Sequence, residues 1–353
     1  MGNEIAKNRC RETELDLLRI IATIAVIFTH CEGGQASSEV IYRLTRFLNA
    51  IIIWQVPCFV MISGRFWLDP EREITTEKLK IGILRIGYAF IFWNILYQIV
   101  YIIEGKYGAL NWKGIILESG ALVGPYHFWF LWMIVGLYLI IPFLRRITQS
   151  KRLMEYFIIL FLVIEFINRF GEYLPYVGGI VRSLWTLLGN REAGIMLVLG
   201  FSGYFILGYY LRKYPLKKSF EMCLYIAGAI LLFGGAIYRG SLAELNEWQH
   251  NLYGYVSPNV VIFSAAIYTF FVKRVSRIAF RGVTQRIIDK LQSMSFGIYL
   301  VHALVIELFV PMIYLPMLSE PLMRLFRTMV VFALSTLIVW AVRKIPKFGK
   351  KIT

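Results

Sequence analysis

Apolar stretches long enough to cross a membrane recur from one end of this chain to the other, and that recurrence limits the fold more than any other feature. A transmembrane helix needs about 20 mostly apolar residues. Ten stretches qualify: 16–32, 46–67, 84–103, 127–144, 153–169, 193–211, 220–238, 256–272, 293–313 and 325–342. Between them no segment remains for a soluble domain of ~100 residues. Apolar residues make up 58% of the chain and charged residues 17%, against about 45–50% and 25% in soluble proteins. The expected fold is therefore all-α: a polytopic membrane bundle of about ten helices, one domain over 1–353, with no fused soluble domain. Intrinsic disorder and a disulfide-stapled secreted scaffold are excluded by the same composition. The segment 170–192, with Gly171, Pro175, Gly178, Gly179 and Gly189, reads as a loop.

The net charge of +16 would suggest a nucleic-acid partner in a soluble protein. Its distribution argues otherwise. Of the 38 Lys and Arg, 27 fall at the N-terminus, in alternate loops and in the C-terminal segment, and 8 in the opposite loops. That asymmetry is the positive-inside pattern; it predicts cytoplasmic termini, an even number of spans and no nucleic-acid partner. A multi-pass protein of the plasma or inner membrane is expected, with the lipid bilayer as its first partner. Cys10, Cys31, Cys58 and Cys223 lie in unrelated segments, so no metal site and no disulfide framework is predicted. No P-loop or dinucleotide fingerprint occurs.

Ionisable side chains inside a bilayer are costly, which makes each a functional candidate. The first span holds Asp16, Arg19 and His30. Eleven residues at about 100° each bring Arg19 and His30 within some 20° of one helix face, roughly 16 Å apart along the axis. Asp16 shares that face and is placed to pair with Arg19. The competing reading is a snorkelling arginine and an interfacial histidine. Ser295, Tyr299 and His302 share a face in the ninth span, as a functional set or as a packing seam. Glu165 and Glu307 are intramembrane carboxylates, and Trp129 and Trp132 read first as an aromatic belt. All four histidines, His30, His127, His250 and His302, belong to outer halves of spans or to outer loops. A phosphorylated ligand near the inner arginines and proton chemistry near the outer imidazoles is the inference from this split.

These residues resemble the membrane acyltransferase-3 family, the polytopic O-acyltransferases of bacterial surface glycans. Leu15-Asp16-Leu-Leu-Arg19-Ile-Ile-Ala22, closing with His30, is similar to the family's first-helix signature. Pro57-Cys-Phe-Val-Met-Ile-Ser63-Gly64, Phe128-Trp129-Phe130-Leu131 with Pro142, and Ser295-Phe-Gly-Ile-Tyr299-Leu-Val-His302 extend the likeness over most of the chain. One departure stands out. Where the family often has Arg-x-x-Arg entering the third span, Gly82 replaces the first arginine and Arg85 keeps the second. Lys80 offers a point charge there, without the planar fork.

The resemblance implies an acyl-CoA co-substrate, most simply acetyl-CoA, on the cytoplasmic side, no permanently bound cofactor and no metal. It implies an acceptor hydroxyl on the outer side, on a surface glycan or a small molecule. His30 is then the expected base, Arg19, Arg85 and Lys80 the donor-binding cations, and Asp16 the group that orients Arg19. Tyr299, His302, His127 and Trp129 are the candidates to bind acceptor or oxyanion. A transporter or flippase for a glycan or lipid-linked sugar is the main rival, because buried charges in many spans suit that class too. A non-catalytic membrane subunit is a third possibility.

Overall fold

The computed structural model describes residues 12–32, 39–108, 123–170, 179, 194–242, 253–315, 317–346 and 349–353. Among them all regular structure is helical. The helices are α1 (Thr13–His30), α2 (Glu39–Ile52), α3 (Gln55–Trp67), α4 (Thr76–Ile103), α5 (Trp129–Leu139), α6 (Ile141–Ile147), α7 (Lys151–Phe170), α8 (Gly194–Lys213), α9 (Lys218–Ala229), α10 (Gly235–Ser241), α11 (Pro258–Lys273), α12 (Gly282–Phe309) and α13 (Glu320–Val342).

Every predicted span falls mainly on helix, but not every one is a single uninterrupted helix. Six described helices are long and apolar enough to cross a membrane, or seven if one bent pair counts as a span. The first predicted span lies outside that number because α1 carries Glu14, Asp16 and Arg19 within its 18 residues. The second runs through α2 and α3 with a two-residue turn between them, and counts as one stretch among the six. The fourth bends by 60° between α5 and α6. Pro142 explains the bend, since it cannot donate to the Tyr138 carbonyl and its ring crowds that turn. A five-residue π-helical stretch, Ile230–Gly234, separates α9 from α10. Helices α4 and α12 start well before the predicted spans, α4 from a Thr75 cap whose hydroxyl accepts from the Lys78 amide. Of the expected loop 170–192, all but Phe170 and Gly179 lie outside the described residues.

The bundle is apolar on its outside. On α4, Ile81, Leu84, Tyr88, Ile91, Ile95, Ile99 and Ile102 are exposed in steps of three and four, while Ile86, Ala89, Trp93 and Tyr97 are buried on the opposite face. A stripe of that length facing water would drive association; facing lipid it costs nothing. A helix with three charged residues sits at the centre. Helix α1 packs against α3, α11, α12 and α13, with Leu15, Leu18, Ala22 and Ile27 fully buried.

Charged groups tie helix ends together at one end of the bundle. Arg65 of α3 bonds Glu12 at 2.9 Å and Asp69 at 3.0 Å, and Arg212 of α8 bonds Glu12 at 3.0 Å. Burial pushes the Asp69 carboxyl up, but the hydrogen bonds from Arg65 and the Glu71 amide outweigh it and hold the group below its ordinary range. Arg145 of α6 donates to the carbonyls of Trp67, Asp69 and Arg72 at 2.8–3.1 Å. The helix ends that meet here are ends that the charge asymmetry assigns to a single side.

The tightest seam lies between α3 and α8. A Cβ at Gly64 would fall on the Phe205 carbonyl, and one at Gly208 on the Met61 carbonyl. Small residues here let two backbones touch. Gly208→Ala must push the helices apart and is expected to destabilise the protein by about 1–3 kcal/mol. Thermal unfolding in detergent checks this; an unchanged transition would mean that the seam is loose.

Candidate active site

Five helices present polar or aromatic stripes to one interior space. On α1 the stripe is Arg19, Val26 and His30; on α3 it is Gln55, Phe59, Ser63 and Trp67, each four residues from the last. Helix α5 adds Trp129, Phe130, Ile134 and Tyr138, helix α4 adds Gly82, Arg85 and Ile86, and helix α12 adds Gln292, Ser293, Ser295, Phe296 and Tyr299. Together with His127, Tyr255 and Arg343 they enclose a cavity of about 570 Å³. Ligand sites usually span about 300–1,000 Å³.

The cavity is chemically asymmetric. Arg19, Arg85 and Arg343 line it toward the end where α1 begins and α13 finishes. His30 and His127 line it toward the end where α1 finishes. Aromatic side chains form the walls between. Trp129 stacks on Tyr255 with ring centroids 5.5 Å apart, and the Trp67 indole donates to the Tyr138 hydroxyl at 2.9 Å.

Three imidazoles gather at the far end. The His302 ring centroid is 5.6 Å from that of His30 and 5.0 Å from that of His127. His30 also makes an edge contact with Tyr126 at 4.9 Å. His302 is fully buried and does not line the cavity; its Nδ1 lies 2.6 Å from the Tyr299 carbonyl oxygen. The Tyr299 hydroxyl donates to the His127 carbonyl. Tyr299 lines the cavity and bonds His127, while His302 packs behind His30 and His127, so of the expected acceptor set only His302 does not face the open space.

The other predicted positions divide. Arg19 and His30 share the cavity face, which is their expected relation. Asp16 is buried, with Oδ1 3.7 Å from Arg19 Nη1. Trp129 leaves the aromatic belt for the cavity, whereas Trp132 stays at the periphery and donates to the Val123 carbonyl at 3.2 Å. Lys80 is exposed and does not line the cavity, because it lies on the outer face of α4. Gly82 does line it, and a Cβ there would stand 3.2 Å from the Trp67 indole. A side chain at this position would crowd the Trp67 indole. Glu307 pairs with Lys106 away from the cavity, and Glu165 is buried beside Gly200. His250 lies outside the described residues. Among the described residues no cluster could hold a metal ion.

Sequence reasoning misses Gln55, Tyr138, Tyr255 and Arg343 as cavity residues, and it passes over Arg324. That arginine is 2% exposed. Its Nε donates to the Phe28 carbonyl at 2.9 Å, its Nη2 to the Thr29 carbonyl at 3.3 Å and to Asn49 Oδ1 at 2.6 Å. It therefore caps the last turn of α1, one residue before His30, and lies 4.2 Å over the Phe28 ring. An arginine at the edge of the span 325–342 is the signal that could have found it.

A helical membrane bundle with a cavity joining a cationic end to an imidazole end has the outline of a membrane-embedded transferase, and the comparison with families makes this specific. The chain belongs to the acyltransferase-3 family, whose model, described as an acyltransferase domain, matches residues 12–344. No curated protein and no solved structure matches it. The chain is thus a multi-pass membrane protein with an acyltransferase domain.

Arg324→Ala removes two charge-assisted hydrogen bonds to the end of α1 and one to Asn49 of α2, and is expected to cost about 1.5–3 kcal/mol. Arg324→Lys retains the charge and loses less. Thermal unfolding of both variants in detergent checks the order; equal transitions would exclude the clamp.

Proposed function

We propose that this protein transfers an acyl group, most simply acetyl, from cytoplasmic acyl-CoA to a hydroxyl of an extracytoplasmic glycan or related acceptor. In this reading ten helical segments cross the plasma or inner membrane, both termini are cytoplasmic, and the arginine end of the cavity faces the cytoplasm. The observation that carries it is the single cavity lined by Arg19 and Arg85 at one end and His30 at the other. Acyl-CoA has the same asymmetry: phosphates at one end of a long arm, a reactive thioester at the other. Family membership supports an acyl donor over the transporter alternative.

In the reaction, the His30 imidazole accepts the proton of the acceptor hydroxyl as its oxygen attacks the thioester carbonyl. The new C–O bond forms, the C–S bond breaks, and the coenzyme leaves as a thiol after taking up a proton. Arg19, oriented by Asp16, and Arg85 hold the donor through its phosphates. His127, Trp129 and Tyr299 face the acceptor, with His302 packed behind His127. The walls of aromatic rings keep bulk water from the thioester, so hydrolysis does not compete with transfer.

Purified protein with labelled acetyl-CoA tests this. His30→Ala is expected to reduce transfer by more than about 100-fold, the usual contribution of a positioned base, with the thermal transition retained. Wild-type turnover in that variant would reject His30 as the base. Arg19→Lys is expected to raise the KM for donor about tenfold and to leave the KM for acceptor nearly unchanged, because a point charge replaces a fork. Equal effects on both substrates would remove Arg19 from the donor site. Transport of acceptor across vesicles without consumption of acyl-CoA would favour the rival reading.

A further inference from the structure

We propose that Tyr97 is a positioning residue for proton transfer at His30: through one buried hydroxyl and one ring it sets the imidazoles of His302 and His127 against that base. The proposal rests on the reading of His30 as the base and gives a role to a side chain that meets no substrate.

Tyr97 is fully buried and does not line the cavity. Its hydroxyl enters the hydrogen-bond ladder of α12. It accepts from the Leu304 amide at 2.8 Å and donates to the Leu300 carbonyl at 3.0 Å. Those groups are the two ends of one i→i−4 rung of a helix. Packing α4 against α12 does not call for a bond inside that ladder. A side chain that bonds there sets how far the turn opens and where its side chains point. His302 stands at the middle of the turn, two residues from each bonded group.

The ring of Tyr97 reaches the other side of the imidazole cluster. Its centroid lies 5.6 Å from that of His127 and 5.7 Å from that of Phe128. One residue of α4 therefore touches both the α12 turn that carries His302 and the turn Tyr126–Phe128 that carries His127. Tyr299, beside Leu300, closes the same circuit, since its hydroxyl donates to the His127 carbonyl.

The orientation of His302 matters because its ring is chemically one-sided. Nδ1 lies 2.6 Å from the Tyr299 carbonyl oxygen. A carbonyl only accepts, so Nδ1 carries the proton and Nε2 keeps a lone pair. Nε2 is buried without a partner, and the rings beside it are those of His127 at 5.0 Å and His30 at 5.6 Å. When His30 takes the proton of the acceptor hydroxyl, both of its ring nitrogens become donors. The His302 lone pair then serves the His30 nitrogen turned away from the substrate, as an orienting group serves a catalytic base. His302 itself takes no proton; the proton on His30 leaves with the coenzyme thiol.

The Tyr97 hydroxyl is thus worth more to the site than to the fold. Without it, the Leu304 amide and the Leu300 carbonyl still have each other as partners, so no buried group is stranded. The turn relaxes, and a displacement of about 1 Å at a catalytic group costs on the order of 100-fold in rate.

Tyr97→Phe in the full-length protein tests this, with Tyr268→Phe as the control. The Tyr268 hydroxyl is also buried and joins two helices, donating to the Gly208 carbonyl at 3.1 Å, but it meets no imidazole. The assay follows label from acetyl-CoA into the glycan fraction of host membranes. Tyr97→Phe is expected to keep the thermal transition and the KM for acetyl-CoA and to lower kcat at least about tenfold; Tyr268→Phe is expected to keep kcat. A second readout needs no turnover. The chain has four histidines, so the ring nitrogens of 15N-histidine protein can be assigned by single substitutions. His302 is expected to show the Nδ1–H tautomer, and Tyr97→Phe to move the signals of His302 and His127. Wild-type kcat in Tyr97→Phe, a loss of kcat matched by a loss of thermal stability, or unmoved imidazole signals would each overturn the inference. If the wild-type protein transfers no label, or His30→Ala transfers it normally, the reading of the base fails; the nitrogen signals still decide whether Tyr97 sets the imidazoles.

Discussion

The structure is organised around a charge that a membrane helix would ordinarily not carry. A guanidinium in the path of α1 is stable within a bundle only if it reaches water, a partner or a ligand. Asp16 and a cavity meet that need for Arg19, and the cavity requires other helices around α1. Helix α1 therefore takes the centre, and the apolar face of α4 takes the periphery. The arrangement reverses the pattern of a water-soluble bundle, for the same reason: each surface faces the medium that solvates it.

The two ends of α1 are held by different means, and the difference suits what each end does. At its start, Glu12 and Glu14 join Arg65 and Arg212 in a network that locks α1 to α3 and α8. At its finish, the buried Arg324 bonds the carbonyls of Phe28 and Thr29 and fixes the turn that carries His30. Both clamps act on backbone and carboxylates outside the cavity. The backbone behind Arg19 and His30, the α1 residues that line the cavity at its two ends, is thereby fixed.

Much of the site is legible in the residues alone. The 11-residue spacing of Arg19 and His30 follows from helical geometry, and they share the cavity as that geometry requires. The likeness of the first helix to the acyltransferase-3 signature agrees with the family match over 12–344. Charge considered without helical phase misplaces Lys80: the exposed stripe of α4 puts it outside, while Gly82 and Arg85 line the cavity. A shared helical face makes His302 a companion of Tyr299, but the packing of α12 against α1 buries it behind His30. Arg343 is hidden from a sequence reading because the positive-inside pattern already accounts for its charge.

The chain by itself determined which segments are helical, that they meet lipid, and that polar groups line one side of α1, because hydropathy and helical period are local properties. Where the second span turns and the fourth bends, which helices enclose α1 and which cations face one another across space were decided only by the fold. Those depend on contacts between residues hundreds of positions apart, such as Arg85 with Thr353 and Arg324 with Phe28, and no local pattern encodes the distance between them.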